Sequence, residues 1–572
     1  MKSGKHSKIN KIHFQVSLPN PHLHQIEIEM SVSTSGAGDW LFTMPTWSPG
    51  SYFIRDYSGH IISIQALENG KEIPCVQTEL SRFRVQSSKN QFLVRYTLFG
   101  YENTVRTNFV DPEYAFLNPP STFLYPEGSL NIPVSLGFRN HPYQHIYTSL
   151  AKGKGQTYKA IDFDELFDSP IFLTNKTSSK FKVEKTEHEI IIQGDINSKI
   201  KKNILSDLEK IVKLQTRLFR GNPNSYYLFL LNLTEDNYGG LEHRASSVNA
   251  FPPDKLEESA EYTRLMALLC HEYFHLWNIK RIRPIAFGPF DYYYPRPSKE
   301  LWIAEGITSF YDNYIIFLSE LVGSTVYINE VLNDINRLEA SSGEEYMSLE
   351  ESSLTTWIKF YKQHPNSHNF SISYYIKGSI LAFCMDISIR EKSNLKYSLM
   401  DVMRYLLKKY HEEKNRGFTK EEFFKAVVDA TGVDVYPEFQ PYLETRTRIP
   451  FETYFKKIGV KVSKKLKKSS LPFEAKASGS LVKIQKVYMQ YLKNVDISTG
   501  DELIAINNIR VTKENVSKLE SHPEKAKLKL ILSRRGKILT RTIQSVPIYL
   551  YQLDSIDYLE NPLGMNFFEW EG

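Results

Sequence analysis

The chain has 572 residues, 41% hydrophobic and 24% charged, an ordinary globular composition with enough material for three or four domains. Its 71 basic and 65 acidic residues leave a net charge of +6, too small an excess for a dedicated nucleic-acid binder, and no basic-aromatic platform for single strands is visible. The 35 Tyr and 34 Phe exclude a disordered chain. Cys75, Cys270 and Cys384 are odd in number and far apart, which argues against a disulfide framework.

The N-terminal stretch "MKSGKHSKINKIHFQVSLPN" is basic and never enters an apolar signal core. The longest apolar runs, such as "YYLFLLNL", are too short to cross a bilayer. The expectation is a cytoplasmic protein without a cleaved signal or a membrane span.

From about residue 9 to 170 the pattern is β. Ile12, Phe14, Val16 and Leu18 alternate, as do Ile26, Ile28, Met30 and Val32, and Phe92, Val94, Tyr96 and Leu98. Period-two alternation signals strands with one buried face and predicts a β-sandwich-like domain. Near residue 196 the rhythm changes. Ile204, Leu208, Ile211, Val212 and Leu218 share one helical face, and Gly221 follows as a stop. "SYYLFLLNL" reads as a buried strand and "NYGGLEHRASS" as a strand edge or loop.

From 300 to 445 the chain reads as mostly helical, with a capping box at Thr419 and Glu422 and a Gly432 stop. The Lys-rich "FKKIGVKVSKKLKKSS" reads as a solvated loop or strand face. Residues from about 458 to 548 form a small β-rich module, in which Ala526, Leu528, Leu530 and Leu532 alternate and "SRRGK" turns a hairpin.

The chemistry concentrates in "LLCHEYFHLWNIKRIRP". On a helix, positions i and i+4 point the same way, so His271 and His275 can present two imidazoles to one metal ion. Glu272 projects beside them, within reach of a water at that metal. A catalytic zinc wants a third protein ligand. "LWIAEGITSFYDNYIIF" offers Glu305, a carboxylate on an apolar helical segment where it needs a partner. Asp312, seven residues on, is either a surface acid or a group that orients a ligating imidazole. Ligand softness favours zinc.

The chain resembles the glycyl aminopeptidase family of zinc metallopeptidases that carry a PDZ domain. The resemblance rests on "PTWSPGSYFIRDYS", "YENTVRTNFVD", "GGLEHRAS", "HEYFHLWNIKRIRP", "LWIAEGITSFY", "YYIKGSILAFCMD" and the PDZ-like "VDISTGDELIAINNIRV". It implies a multidomain α+β architecture. An N-terminal β domain (1–172) precedes a thermolysin-like catalytic domain (173–300), a helical domain bearing the third ligand (301–450), a PDZ-like domain (451–550) and a C-terminal tail (551–572).

The same resemblance implies one Zn²⁺ per chain on His271, His275 and Glu305, with Glu272 as general base. Gly239, Gly240, Leu241, Glu242 and His243 are similar to a Gly-Ala-Met-Glu-Asn segment of a related gluzincin family. In that comparison Glu242 holds the substrate's α-ammonium and the backbone of Gly240 and Leu241 lies along the substrate. Without it, Glu242 is a surface acid. Tyr375, or its neighbour Tyr374, matches the oxyanion-donating tyrosine of a Tyr-x-Lys-Gly motif.

The gap between His275 and Glu305 is longer than in that related family and holds "GPFDYYYPRP", a wall of the site or a packed loop. No clean carboxylate-binding loop precedes the PDZ-like strands, which argues against peptide-tail binding and for packing against the catalytic domain. The implied activity is removal of N-terminal residues, Gly or Ala preferred, from peptides with a free N-terminus. A zinc endopeptidase of the same fold and a non-catalytic PDZ-type scaffold are the alternatives.

Overall fold

The computed structural model describes residues 8–235, 237–492 and 494–570. Residues 1–7 of the basic N-terminal stretch lie outside them.

The N-terminal region is a β domain. The alternating segments become strands Ile9–Ser17, Gln25–Thr34 and Gln91–Phe99, central neighbours in an eight-stranded sheet. The first strand pairs antiparallel with the second and parallel with Val134–Arg139. Ile12, Phe14, Val16, Ile28 and Met30 turn inward and share one core with Phe42, Phe83 and Val85 of a second, four-stranded sheet. Two sheets each bury one face against the other, which is why the period of two was visible in the sequence.

The next unit is a five-stranded sheet of β1 (Ser179–Val183), β2 (Thr186–Gln193), β3 (Tyr226–Leu233), β4 (Gly239–Glu242) and β5 (Ser246–Phe251). Its order is β1-β2-β3-β5-β4, so β4 is an edge. The crossover from β2 to its parallel neighbour β3 runs through helix α1 (Ser198–Leu218). Ile204, Leu208, Ile211, Val212 and Leu218 of that helix are all buried, as their spacing predicted. Helix α2 (Ser259–Phe274) carries the His-Glu-x-x-His segment. Helix α3 (Ile307–Leu318) packs on it, preceded by a π-helical turn, Trp302–Gly306.

Helix α4 (Tyr374–Lys392) packs on α3 and on the π-helical turn before it. Residues 367–392 are long and apolar enough to cross a bilayer by composition, yet 78% of that apolar window is buried inside the protein. Here an all-round apolar helix is a core element. The Thr419–Glu422 capping box forms and Gly432 ends its helix at φ +71°.

The Lys-rich segment is strand Val460–Ser470, paired along its length with Val546–Ile556. Between them sits a β module with its own core around Leu503, Leu528, Leu530 and Leu532. The expected boundary at 550 and tail from 551 do not match the chain's course. The last strand runs on to Ile556, and a helix, α5 (Pro562–Phe568), returns to the core shared by α1–α4 with Phe567 and Phe568 buried. Two adjacent aromatic rings are too much apolar surface to leave in water.

Candidate active site

His271 and His275 occupy the last turn and the C-cap of α2. Their Nε2 atoms lie 3.0 Å apart. Glu305 Oε2 stands 3.4 Å from the first and 3.3 Å from the second. Each Nδ1 is already committed, His271 to Asp312 Oδ2 at 2.8 Å and His275 to the carbonyl of Asn278 at 2.7 Å. A carbonyl only accepts, so His275 Nδ1 carries the proton and its Nε2 offers a lone pair. The Asp312 carboxylate sets the same tautomer on His271.

Two lone pairs and a carboxylate oxygen thus converge in a buried space. This is a repulsive arrangement unless a cation sits there. Burial alone would keep His271 neutral, but the bonds to Asp312 and Glu305 outweigh it and hold the imidazole well above its ordinary pKa. Glu305 shows the reverse balance: burial would raise it, and His275 and His271 bring it down to about 2. Two imidazole nitrogens and one carboxylate oxygen that converge within 3.0–3.4 Å of one another fit zinc.

Local structure explains how Glu305 reaches the pair. The π-helical turn re-aims its backbone, and such turns recur at functional sites. Asn278 braces it: its Nδ2 donates to the carbonyls of Ile303 and Ala304 and to Thr308 Oγ1, at 2.9–3.1 Å. One residue therefore orients His275 through its carbonyl and steadies the Glu305 turn through its side chain. Sequence reasoning missed it, although it lies three positions after His275.

Asp312 is buried, 8% exposed, which removes the surface-acid alternative. Gly306 and Gly378 touch backbone to backbone, since a Cβ on Gly306 would lie 2.6 Å from Gly378 Cα. That close approach brings α4 over the site. The Tyr375 ring lies 6.4 Å from that of His271, while Tyr374 is fully buried.

The edge strand β4 borders the other side. A side chain on Gly240 would fall on the Glu272 carboxylate, so only glycine lets the strand pass this close. Glu272 is buried, its Oε2 lacks a hydrogen-bond partner among the described residues, and burial pushes it up to about 7 against the pull of His271 and His275.

Glu242 is no surface acid: it is 5% exposed, and one of its oxygens lies within 4.8 Å of the ligand atoms of Glu272 and His275. Lys280 Nζ stands 4.0 Å from Glu242 Oε1 and 2.9 Å from Asp168 Oδ1. Asp168 also takes His243 Nδ1 at 3.1 Å and the Arg244 N–H at 2.8 Å. Burial opposes charge on Asp168, but Lys280 and His243 hold it well below the usual carboxylate range. Gly239, at φ +136°, opens the strand. Leu241 points away from the site into the sheet's other core.

A cavity of about 520 Å³ adjoins this end, with Trp47, Gly50, Tyr52, Glu242, Lys280 and Phe290 among its walls. Gly50 and Tyr52 come from the β domain, and sequence reasoning gave them no role. The "GPFDYYYPRP" segment proves to be mostly a clamp. Tyr292 is buried in the β-domain core, and its backbone carbonyl accepts the Thr46 N–H. Tyr293 lies under the Arg82 guanidinium, and Tyr294 is exposed.

A buried two-histidine, one-carboxylate pocket, with a second glutamate beside it and an edge strand along it, defines the class: a metallopeptidase-type site between a β domain and a helical domain. Residues 13–175 match the model of the peptidase M61 N-terminal domain, and residues 264–381 match that of M61 glycyl aminopeptidase. These two segments support a peptidase.

A crystal structure of an aminopeptidase N family protein from Idiomarina loihiensis is similar over 98% of this chain and 100% of its own, with a TM-score of 0.91 and 26% identity. It has the same fold from end to end. An M1 zinc metallopeptidase from Deinococcus radiodurans matches with a TM-score of 0.49 and 9% identity over 78% of this chain and 95% of its own. Yeast LTA4 hydrolase in complex with bestatin matches with a TM-score of 0.45 and 13% identity over 79% and 68%. No curated protein matches the chain.

Proposed function

We propose that this protein is a zinc-dependent aminopeptidase that removes N-terminal residues, Gly or Ala preferred, from peptides with a free N-terminus. The observation that carries the reading is the position of Glu242. A buried carboxylate closes one end of the cleft, within 4.8 Å of Glu272 and His275, where a substrate's first nitrogen would stand. A carboxylate there binds an ammonium and rejects a continuing chain.

His271, His275 and Glu305 would hold the metal. When bound, zinc supplies Lewis-acid polarisation of the scissile carbonyl. Glu272, unpartnered at Oε2, takes a proton from the attacking water and returns it to the leaving amine. The Tyr375 hydroxyl donates to the oxyanion as it develops. Gly240 and Leu241 supply edge-strand backbone to align the peptide. Asp312 and the Asn278 carbonyl keep both imidazoles in the metal-binding tautomer.

The Gly or Ala preference, zinc as the resident metal and the cytoplasmic location belong to this reading as well, as does the PDZ-like character of residues 451–550. That module touches the helical region through the Val487 carbonyl, which accepts from Asn369 Nδ2 at 2.8 Å, in keeping with an intramolecular role.

The test is hydrolysis of Gly-, Ala- and Leu-anilides and of N-acetyl-Ala-anilide, beside Glu272→Gln, with bound metal measured in the same samples. Expected are cleavage of free-amine substrates alone, Gly and Ala ahead of Leu, one zinc in both proteins, and a loss of about 10³-fold or more in the variant. Cleavage of the acetylated substrate at a comparable rate would make the enzyme an endopeptidase instead.

A further inference from the structure

Glu242 and Glu305 are the two carboxylates whose separation decides where a peptide is cut, if one holds the ammonium and the other the metal. They belong to different elements, an edge strand and a π-helical turn. Yet both are touched by one short segment of a third element, a loop of the β domain. Gly50 has φ +86°, and a Cβ built on it would lie 2.5 Å from both Oε1 and Oε2 of Glu242. Two residues on, the Tyr52 hydroxyl donates to Glu305 Oε1 at 3.4 Å. This is the oxygen that does not face the imidazoles, since Oε2 makes both of those approaches.

The loop itself is held firmly. The Thr46 N–H and hydroxyl bond the carbonyls of Tyr292 and Tyr293, at 2.9 and 2.7 Å. Trp47 Nε1 donates to the Asp291 carbonyl at 3.0 Å. Ser48 Oγ pairs with the Tyr57 hydroxyl at 2.7 Å. The Tyr52 ring is 2% exposed and packs against Trp357 and Phe287. Groups fixed this way keep their neighbours fixed.

We propose that Gly50–Ser51–Tyr52 is a spacer: its two ends rest on Glu242 and Glu305 and set the distance from ammonium anchor to metal ligand, and hence cleavage at the first peptide bond. This rests on the aminopeptidase reading above. Gly50 and Tyr52 are positioning residues, Gly50 by leaving free the space against its backbone where the Glu242 carboxylate rests, Tyr52 by fixing the rotation of Glu305. The β domain is then part of the active site rather than a passenger.

The two ends make separable demands. Tyr52→Phe keeps the ring and removes one donor. It should weaken zinc binding, read by chelator competition, about tenfold, with KM for Ala-anilide unchanged at saturating zinc. Gly50→Ala should raise that KM about tenfold or more and leave zinc affinity unchanged. Because Gly50→Ala also strains the backbone, it is paired with Glu242→Asp, whose shorter side chain leaves room for the methyl group. In that background Gly50→Ala should add no further loss.

If each variant moves both constants alike, the loop is only a structural interface and the proposal falls. It falls too if neither constant moves. A wild-type protein that binds zinc but leaves Ala-anilide uncut refutes the aminopeptidase reading and with it the spacer's ammonium end, and an unchanged zinc affinity in Tyr52→Phe would overturn its metal end separately.

Discussion

In the aminopeptidase reading proposed above, one end of the cleft holds the metal and the other the substrate's ammonium, and the two are built differently. The metal end comes from neighbouring helices: His271 and His275 on α2, Glu305 and Asp312 on the turn and helix that pack against it. The amine end is assembled across the domain boundary, with Glu242 on a sheet edge, Lys280 after the metal helix, and Asp168 and Gly50 from the β domain. A metal tolerates little error in ligand geometry, and the rigid pair of helices provides it. Holding an ammonium asks for one correctly placed charge, which a chain of ion pairs can deliver.

The sharpest way to separate the ends is Glu242→Gln. It should cut kcat/KM on Ala-anilide about 100-fold, through the lost charge-assisted contact, and leave zinc content untouched. An equal loss of zinc would erase the distinction. At the other end, Asp312→Asn should weaken zinc about 10- to 100-fold in a chelator titration, with KM unchanged once zinc is saturating.

Asp168→Asn tests the chain of ion pairs. Lys280, left without its 2.9 Å partner, turns to Glu242 and competes with the substrate ammonium. KM should rise about tenfold with zinc affinity intact, and unfolding should show a loss on the order of 3 kcal/mol, since a buried cation has lost its partner.

The smallest effect lies behind the amine end. The turn after Lys280 docks on Phe418, whose N–H bonds the Arg283 carbonyl. The next helix is capped by Glu422, which Arg416 holds down at about 2. A folded pKa below the unfolded one of about 4.3 stabilises the native state above the unfolded value, and that gain is lost as the pH falls towards the folded value. The melting-temperature gap between wild type and Glu422→Gln should therefore be full at pH 7 and shrink between about pH 5 and pH 2. A constant gap would put the cap's contribution elsewhere.

These differences explain what could be read in the sequence. His271, Glu272 and His275 announce themselves because four residues make one helical turn, and Glu305 because a lone acid on an apolar face is conspicuous. The β strands showed through their alternation. Without the family resemblance Glu242 read as a surface acid, and Asp312 stayed open between a surface acid and a group that orients an imidazole, because burial is a property of packing, which spacing alone does not carry. Asn278, Lys280, Asp168, Gly50 and Tyr52 went unassigned because their contacts are backbone- or shape-specific or join positions as much as 253 residues apart. "PTWSPGSYFIRDYS" was visible as a motif, but a glycine whose role is to be empty gives no chemical signal.

Helix α5 makes closure of the helical region a long-range matter. The Tyr314 hydroxyl of α3 bonds the Phe567 carbonyl, and Arg390 of α4 bonds Asn566. The helix that carries Asp312 is thus sealed by residues made about 250 positions later, after the whole β module. Local opening of α5 would therefore uncover the back of the helix that carries Asp312, although the two are far apart in the sequence.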